Sequence, residues 1–499
     1  MMISEIIYQQ LQFFLPEIVL VGTFCVILLT GLIAPKKASL LAWITFIGLA
    51  LSFVFVLRQF GHNESLFSGM IALDPFAVFF KIFSIVCVVC IILFSQFSNE
   101  VLQTVKRISE YYALLVAMTL GMFLMASATH LLMMVLAMEL TSLSAYVLAG
   151  YTKEALDSSE ASLKYIIYGA VSTGIMIYGI SFLFGLTGAL QYNTLNYVLS
   201  TTVISPLPLA FVIILMLVGF GYKISAVPFH FWTPDVYEGA PITITALLSV
   251  ASKAAGFAML IRFFVTVFVD PFSSLLAGKW MSLAQVDWQL LIAILSALTM
   301  TLGNLVAIWQ DNLKRLLAYS SIAHAGYMLM GVAALTDKGI TAVLIYFVMY
   351  LFMNLGAFLV VMLVANRTGS EDIDTYKGLG YRSPLLATSM AIFLISLTGI
   401  PPTAGFIGKL YLFAAVIDAR WFWLAIVGVL NSVISLYYYA RVFRNMFLRT
   451  AEKNTSHISL GKMEIVILLA FVIPTLVFGL YFSPIVSIAQ ASLAMLGVR

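Results

Sequence analysis

Ionisable side chains inside long apolar runs are the first chemically informative feature of this sequence. Each would cost roughly 2.5 to 3.5 kcal/mol at the centre of a membrane helix if it faced lipid. These side chains must therefore face other helices, partner subunits or water-filled cavities. The seven residues are Lys81, Glu139, Lys164, Lys223, Lys253, Arg262 and Lys409.

Glu139 is the acidic member of this set, about nine residues into its apolar run. A carboxylate at that depth needs a basic partner, and Lys223 and Lys253 are the best candidates because their small neighbours allow close helix approach. Burial opposes the charged form of a lysine, whereas a nearby carboxylate favours it. A Glu139–Lys223 pair beside an unpaired Lys253 therefore predicts a switchable proton site. A static ion pair that only fixes helix packing is the alternative.

Two apolar runs are interrupted by proline and glycine in a matching way. The first break contains Pro228 and Pro234, and the second contains Pro401 and Pro402. Proline removes a backbone donor and clashes with the preceding turn, so each helix should unwind inside the membrane. Paired interrupted helices, each with a lysine nearby, indicate an inverted-repeat transporter. Simple helix kinks are the alternative.

Other titratable residues accompany these breaks. His324 lies at mid-depth in its run, and imidazole titrates near neutral pH, which suits a proton relay between Lys253 and Lys409. A histidine that only packs is the alternative. His230 lies at the first break and is a candidate for contact with unwound backbone. Lys164 is interpreted either as a functional lysine or as one that reaches the membrane surface.

The remaining buried charges receive structural interpretations. Lys81 follows Asp74 by two helical turns, which predicts an ion pair between them. Arg262 is expected at the membrane interface. The three cysteines all lie inside apolar runs and are interpreted as packing residues.

The elements that must position these residues are membrane helices. Of the 499 residues, 62% are hydrophobic and 10% are charged, against roughly 25% charged in an average soluble chain. This composition excludes a soluble enzyme, and continuous apolar runs are unlike the alternating strands of a transmembrane barrel. The basic residues form no block, so nucleic acid is not an expected partner. The sequence predicts an all-α polytopic membrane protein.

Fourteen spans follow from the apolar runs, since a crossing needs about 20 residues. The predicted spans are 16–34, 39–58, 75–95, 111–128, 131–151, 163–188, 206–227, 241–268, 288–309, 315–335, 339–365, 384–416, 421–446 and 462–482. The expected divisions are N-terminal helices in 1–110, a first five-helix repeat in 111–268, a second, inverted five-helix repeat in 285–446, and a C-terminal helix in 447–499. Five crossings per repeat force the opposite orientation.

The loops carry unequal basic charge. Fifteen of the 26 Lys and Arg residues lie in alternate loops beginning with the first, or at the span ends beside those loops. Five lie on the opposite side, counted in the same way, and six lie deeper within spans. Because loops rich in lysine and arginine stay inside, both termini are expected outside. The first span lacks a cleavage site and is expected to be retained.

Five motifs resemble the antiporter-like membrane subunits of respiratory complex I, the proton-translocating NADH:quinone oxidoreductase, and most closely subunit N, the homologue of mitochondrial subunit 2. The resemblance covers nearly the whole chain. The last motif is the most discriminating, because subunit M typically has a glutamate where this sequence has Lys409. The motifs are LPEI at 15–18, MELTSLSAYVLAGY at 138–151, GYKISAVPFHFWTPDVYEGAP at 221–241, NLKRLLAYSSIAHAGY at 312–327 and GIPPTAGFIGKLYLF at 399–413.

The resemblance implies an ion-translocating module in a bacterial cytoplasmic (inner) membrane. Glu139 and Lys223 would form the coupling pair, and Lys253 would be the central relay. His324 and Lys409 would lead toward the outside. The resemblance also implies that this chain holds no cofactor, and that NAD and quinone are used by other subunits. Expected partners are the neighbouring subunit M, the small subunits J and K, and membrane lipid.

Two other functions stay open at this point. Subunits of multi-subunit sodium/proton antiporters share the lysines and the broken helices, although LPEI and the motif at 138–151 favour complex I. A passive scaffold, whose buried charges merely hold partner helices, is opposed by the clustering of ionisable groups at one depth.

Overall fold

A computed structural model describes most of the chain. The described residues are 2–34, 37–104, 107–152, 154–270, 280–283, 287–450 and 457–495. Six basic residues of the loop count lie outside them, and these are Lys36, Lys106, Lys153, Lys279, Lys453 and Arg499.

Long apolar helices dominate the described residues. Thirteen of them are long and apolar enough to cross a membrane, and two consecutive shorter helices provide a fourteenth crossing. Spans 1 to 14 are Leu15–Ile33, Ala38–Leu57, Pro75–Ser95, Ile108–Ser127, Leu131–Ala149, Leu156–Thr187, Pro206–Ile224, Ile242–Phe268, Trp288–Ala307, Leu313–Ala333, Asp337–Thr368, Pro384–Thr398 with Ala404–Asp418, Phe422–Leu448 and Lys462–Leu480.

Shorter elements connect or flank the spans. Span 7 is followed, after a break, by the short helix Trp232–Gly239. Span 8 contains a π turn at Leu248–Ser252. The antiparallel strands β1 (Glu64–Leu66) and β2 (Ile71–Leu73) form a hairpin. The other short helices are Met2–Phe13, Asn99–Thr104, Tyr192–Thr201, the 3-10 turn Ile373–Tyr376, Leu379–Arg382 and Ser483–Ala491.

The predicted fold class is confirmed: the protein is an all-α, multi-pass membrane protein with fourteen candidate crossings in its described residues, two of them discontinuous. Span 6 begins at Leu156, seven residues before its predicted start. The charged residues at which the apolar run stops do not end the helix, because Glu160 and Lys164 form an i,i+4 ion pair of 2.7 Å on its surface.

The two predicted five-helix sets have similar frames. Spans 6 and 11 are each 32 residues long, and both end at a left-handed glycine, Gly188 and Gly369. Spans 8 and 13 are each 27 residues long. These equal lengths support the predicted division of the chain into two repeats, which stays a prediction.

The break after span 7 is sheltered by the protein. Ser225 turns the chain with a left-handed φ of 61°, and the Val227–Pro228 peptide bond is cis. The backbone N–H of Val227 donates to the Thr299 hydroxyl at 3.0 Å. The donor freed by the break therefore has a buried partner, as non-helical backbone at membrane depth requires.

The break inside span 12 has the same features. Gly399 ends the first helix with a φ of 89°, and the Pro401–Pro402 peptide bond is cis. The N–H of Gly405 at the start of the second helix donates to the Ser396 hydroxyl at 3.0 Å. A side chain reaching back across the break thus supplies a partner for a donor that has no helical acceptor.

Two expectations about buried charges are wrong. Lys81 forms an ion pair with Glu17 at 2.7 Å rather than with Asp74. Arg262 is not interfacial, because it is fully buried and binds both carboxylate oxygens of Asp74 at 2.6 and 2.7 Å. Its Nε also donates to the carbonyl of Ala126 at 2.7 Å. These contacts join helices that are far apart in sequence. Spacing along a single helix cannot predict such pairings.

We expect Arg262→Leu to destabilise the protein by about 3 kcal/mol, because it leaves the buried carboxylate of Asp74 without its cation. Asp74→Asn combined with Arg262→Leu should recover most of this loss, since the neutral amide can still cap span 3. The measurement is thermal unfolding of the purified protein in detergent, with the exposed Arg107→Ala as control. A double variant as unstable as Arg262→Leu would contradict this account.

Candidate functional site: a row of buried lysines

Three buried lysines lie next to irregular backbone. Lys223 is at the end of span 7, Lys253 directly follows the π turn of span 8, and Lys409 is in the second helix of span 12. Each is at most 4% exposed. Among the described residues, none of the three has a carboxylate oxygen within 4.0 Å of its ammonium nitrogen.

The site around Lys223 is formed by spans 5 and 7. Its Nζ donates to the hydroxyl of Ser142 at 3.0 Å. Ser142 lies three residues after Glu139, so both side chains are on one side of span 5. Glu139 is partly buried, and its carboxylate oxygens are more than 4.0 Å from Nζ of Lys223. The predicted coupling pair therefore makes no direct ion pair in this conformation, and Lys223 is hydrogen-bonded to a hydroxyl one turn from Glu139.

Aromatic side chains pack around Tyr222, the residue before Lys223. Tyr165 stacks on Trp232 with ring centroids 4.3 Å apart, and the Trp232 indole donates to the carbonyl of Tyr222 at 3.2 Å. The Tyr222 hydroxyl contacts the Tyr146 hydroxyl at 3.4 Å. An ammonium can donate three hydrogen bonds, and the described residues give Lys223 one. Its ammonium group therefore has donors left for a second hydrogen-bond partner.

Lys223 also packs against span 8 close to Lys253. A Cβ added to Gly256 would lie 3.0 Å from Cγ of Lys223. Gly256 is three residues after Lys253, so this contact is about one turn from the second lysine. The close approach depends on the missing side chain at Gly256.

Lys253 faces span 10. Its Nζ donates to the hydroxyl of Ser321 at 2.9 Å and lies 5.9 Å from the ring centroid of Tyr237. Tyr237 belongs to the short helix after the first break. Lys253 thus links the broken part of the first helix set to span 10 of the second.

One face of span 10 continues from Lys253 toward Lys409. Ser321, His324 and Tyr327 are spaced by three residues and share that face. The His324 Nδ1 is 2.6 Å from the Tyr346 hydroxyl, and its Nε2 is 3.4 Å from the Tyr439 hydroxyl. Both ring nitrogens therefore have a hydroxyl neighbour that can donate or accept a proton.

Lys409 completes the row at the second break. Its Nζ donates to the carbonyl of Thr398 at 2.8 Å and to the Ser432 hydroxyl at 3.1 Å. It also lies 4.5 Å from the ring centroid of Tyr327, whose hydroxyl is 3.3 Å from Ser432. Lys409 of span 12 therefore lies against Tyr327, one turn of span 10 after His324.

Lys164 lies apart from this row. It is 37% exposed and pairs with Glu160 at 2.7 Å and with Asp235 at 2.5 Å. Asp235 also pairs with Arg315 at 2.7 Å, which in turn pairs with Glu238 at 2.6 Å. This ion-pair chain fixes the short helix after the first break to spans 6 and 10. It borders a cavity of about 370 Å³.

His230 lies in the first break and is buried. Its ring centroid is 4.6 Å from that of Phe231. Its Nδ1 has no hydrogen-bond partner among the described residues. The structure therefore places His230 in the first break and shows no hydrogen bond from it to a lysine of the row in the described part of the chain.

A polar cavity of about 610 Å³ opens near the start of span 8. Glu100 accepts from the N–H of Ile242 at 3.0 Å, and burial raises the pKa of this carboxyl. Lys314 pairs with Glu371 at 2.8 Å and donates to the carbonyl of Ala240 at 3.0 Å. Charged groups thus line the approach to the first break.

Sequence reasoning missed the neutral partners of the lysines. Ser142, Ser321 and Ser432 each accept a lysine hydrogen bond, and the tyrosines around His324 supply its hydroxyl neighbours. Serine and tyrosine are common in membrane helices, so their residue types alone carry little signal. The spacing of three between Ser321 and His324 was available as a signal, because it places both on one helix face.

Comparison with known proteins identifies the class. The family described as NADH:quinone oxidoreductase/Mrp antiporter, TM, matches residues 128–435. NADH-quinone oxidoreductase subunit N 2 of Chloroherpeton thalassium is 48% identical over 491 residues, 97% of this chain and 94% of that protein. Subunit N of Chlorobium chlorochromatii is 45% identical over 494 residues, 98% of this chain and 95% of that protein.

A solved structure indicates the same class. A chain of respiratory complex I from Thermus thermophilus with bound aureothin is 29% identical, with a TM-score of 0.78 over 95% of this chain and 99% of that chain. The chain therefore belongs to the family of antiporter-like membrane subunits of NADH:quinone oxidoreductases and Mrp antiporters. Within it, the full-length relatives named above carry the name subunit N, so the resemblance predicted from the motifs is confirmed.

The Lys223 site predicts energetic coupling between Glu139 and Lys223. We expect Glu139→Gln, Lys223→Met and the double variant to lose proton pumping non-additively, because the two charges act on each other through one site. Pumping is measured in vesicles containing the assembled complex. A cycle of Glu139→Gln with Lys338→Met, an exposed lysine, is the additive control. Strict additivity in the first cycle would show that the two groups do not interact.

Proposed function

We propose that this antiporter-like complex I subunit moves protons across the membrane along its row of buried lysines, driven by quinone reduction in other subunits. One observation supports this most directly. Lys223, Lys253 and Lys409 are all buried, and their partners are hydroxyl and carbonyl oxygens instead of carboxylates. A hydroxyl can accept from an ammonium and donate to a neutral amine. Both protonation states of each lysine can therefore keep a hydrogen bond.

In the proposed mechanism, Glu139 and Lys223 are the coupling pair. When the carboxylate approaches Lys223 directly, it neutralises that cation and lowers the positive field on Lys253. When the pair opens, the unpaired ammonium repels a proton held by Lys253. Lys253 then passes the proton toward His324 and Lys409. A conformational or electrostatic pulse is thereby converted into proton movement.

Orientation follows from the loop charges. The excess of lysine and arginine in alternate loops supports a first loop inside and both termini outside. A bacterial cytoplasmic (inner) membrane is the proposed location. The start of span 12 is then inside, and Lys409 lies on the outer side of the break. We assign Lys409 to proton release and Lys223 with Lys253 to uptake. Lys164 and His230 are assigned supporting roles on the uptake route.

We further propose that the chain itself binds no redox cofactor and that NAD and quinone are used by partner subunits. The neighbouring subunit M, the small subunits J and K, and membrane lipid are its proposed contacts. Its exposed apolar side chains, such as Leu32, Ile33 and Val203, which are 81 to 97% exposed, need such cover.

A sodium/proton antiporter subunit is the competing function, because the matched family includes Mrp antiporters. The near full-length similarity to proteins named subunit N favours complex I. Genes for quinone-reducing and iron–sulfur subunits beside this gene would support the proposal. A cluster of small antiporter genes would overturn it. A passive scaffold is opposed by the neutral partners of the lysines.

We expect Lys253→Ala to leave the complex assembled but to remove most proton transport, because alanine fits the helix and cannot carry the relayed charge. Lys253→Arg should be nearly as damaging, since guanidinium does not release its proton at physiological pH. Proton pumping per quinone reduced is measured in vesicles. Normal pumping by the arginine variant would mean that titration at this position is not part of the mechanism.

We expect Lys409→Ala to block proton release while leaving uptake largely intact, because Lys409 lies on the outer side of the second break. Lys409→Glu should keep some activity, since a carboxylate can also relay protons. pH-sensitive dyes on the two sides of vesicles report uptake and release separately. Loss of uptake with persisting release from a preloaded site would reverse the assignment of inside and outside.

A further inference from the structure

Asn354 of span 11 contacts the wide turn that precedes Lys253. Its Nδ2 donates to the hydroxyl of Ser249 at 2.7 Å, and that hydroxyl donates to the carbonyl of Ala246 at 2.8 Å. Ser249 belongs to the π turn Leu248–Ser252. In the described part of the chain no other π turn occurs. Such turns are rare and concentrate at functional sites.

The position of Asn354 is not explained by packing alone. Asn354 and Ser249 are both fully buried, and the Oδ1 of Asn354 has no hydrogen-bond partner among the described residues. An unpaired amide oxygen in an apolar interior is costly. A leucine of similar volume would avoid that cost. The amide therefore contributes something that an apolar side chain cannot.

Span 11 connects this contact to the rest of the row. Tyr346, Tyr350 and Asn354 are spaced by four residues and lie on one face of the span. The Tyr346 hydroxyl is 2.6 Å from Nδ1 of His324, and the ring of Tyr350 is centred 5.1 Å from the His324 ring. The same helix face therefore contacts both His324 and the π turn.

The register of the π turn decides where Lys253 points. Ser249 is four residues before Lys253, so the contact with Asn354 is about one turn away. A π turn contains one residue more than an α turn, and one residue corresponds to about 100° of rotation around a helix. If the turn relaxed to α-helix, Lys253 would rotate away from the Ser321 hydroxyl, which it now meets at 2.9 Å.

We propose that Asn354 is a positioning residue for proton transfer, which holds the π turn through Ser249 and so keeps Lys253 directed at Ser321. This inference rests on the proposed relay role of Lys253. It assigns to span 11 a second task beside its contacts with His324, namely control of the register of span 8.

The test uses Asn354→Leu in the full complex, reconstituted in vesicles. Proton pumping per quinone reduced should fall by about fivefold or more, the loss expected when one buried hydrogen bond that fixes a geometry is removed. Asn445→Leu is the matched control, because Asn445 is also buried, donates to the carbonyl of Ile373 at 3.3 Å and has an unpartnered Oδ1. Asn445 lies in span 13, so the complex with Asn445→Leu should pump normally.

The pH profile of pumping separates positioning from loss of stable protein. Asn354→Leu should move the profile, because a rotated Lys253 no longer meets Ser321 and its charge is balanced differently. A smaller amount of correctly folded complex would lower the amplitude without moving the profile. The titratable groups that face this region are Lys223, Tyr237, His324 and Tyr350.

Ser249→Ala removes the other partner of the hydrogen bond with Asn354. It should lower pumping to a similar extent, and the double variant with Asn354→Leu should be no worse than either single one. Additive losses, or wild-type pumping with an unmoved pH profile in both single variants, would overturn the inference.

Lys253→Ala is measured in parallel. If that variant pumps normally, the proposed relay has failed; if it is inactive while Asn354→Leu is normal, the positioning role alone has failed.

Discussion

A cation inside an apolar bilayer needs a polar partner, and the kind of partner divides the buried charges of this protein into two classes. Lys81 and Arg262 each meet a carboxylate, at 2.7 and 2.6 Å. Lys223, Lys253 and Lys409 meet neutral oxygens. A carboxylate holds a cation in place, and removing one member leaves an uncompensated charge. A hydroxyl tolerates both forms of a lysine, so the first class fixes helices and the second class can exchange protons.

Irregular backbone is the second constraint, because each lysine of the row lies beside a place where the α-helix is interrupted. Lys223 precedes the left-handed Ser225, Lys253 follows the π turn, and Lys409 reaches back to the carbonyl of Thr398 at the second break. Unpaired backbone groups at membrane depth are tolerated where protein shelters them. The breaks thus provide polar groups and direct the side chains, while the surrounding helices keep lipid away.

The sequence was sufficient for the scaffold and for the burial of the lysines, but not for their partners. Fourteen runs of apolar residues are a strong signal, because a crossing must satisfy its own backbone within the bilayer. The pairing of Lys81 was predicted wrongly, since proximity along one helix suggested Asp74 while the fold supplies Glu17 from another. The π turn was missed because it changes the hydrogen bonds without changing the apolar pattern. Ser142 and Ser321 became recognisable as partners once the helices were in place.

The two predicted helix sets have spans of similar length, but their lysines are placed differently relative to the helix breaks. This difference bears on the direction of proton transport. Nineteen residues separate Tyr146 from Tyr165, and likewise Tyr327 from Tyr346. In the predicted two-repeat division, corresponding helices are five crossings apart, so spans 7 and 12 would run in opposite directions. If the two lysine sites were related by simple inversion, both lysines would precede their breaks. The two sides of the membrane would then meet equivalent sites. Here Lys223 precedes its break and Lys409 follows its own, so the two lysine sites are not related by simple inversion. Because of this difference, the row of lysines presents different sites to the two sides of the membrane. Directional transport requires such a difference.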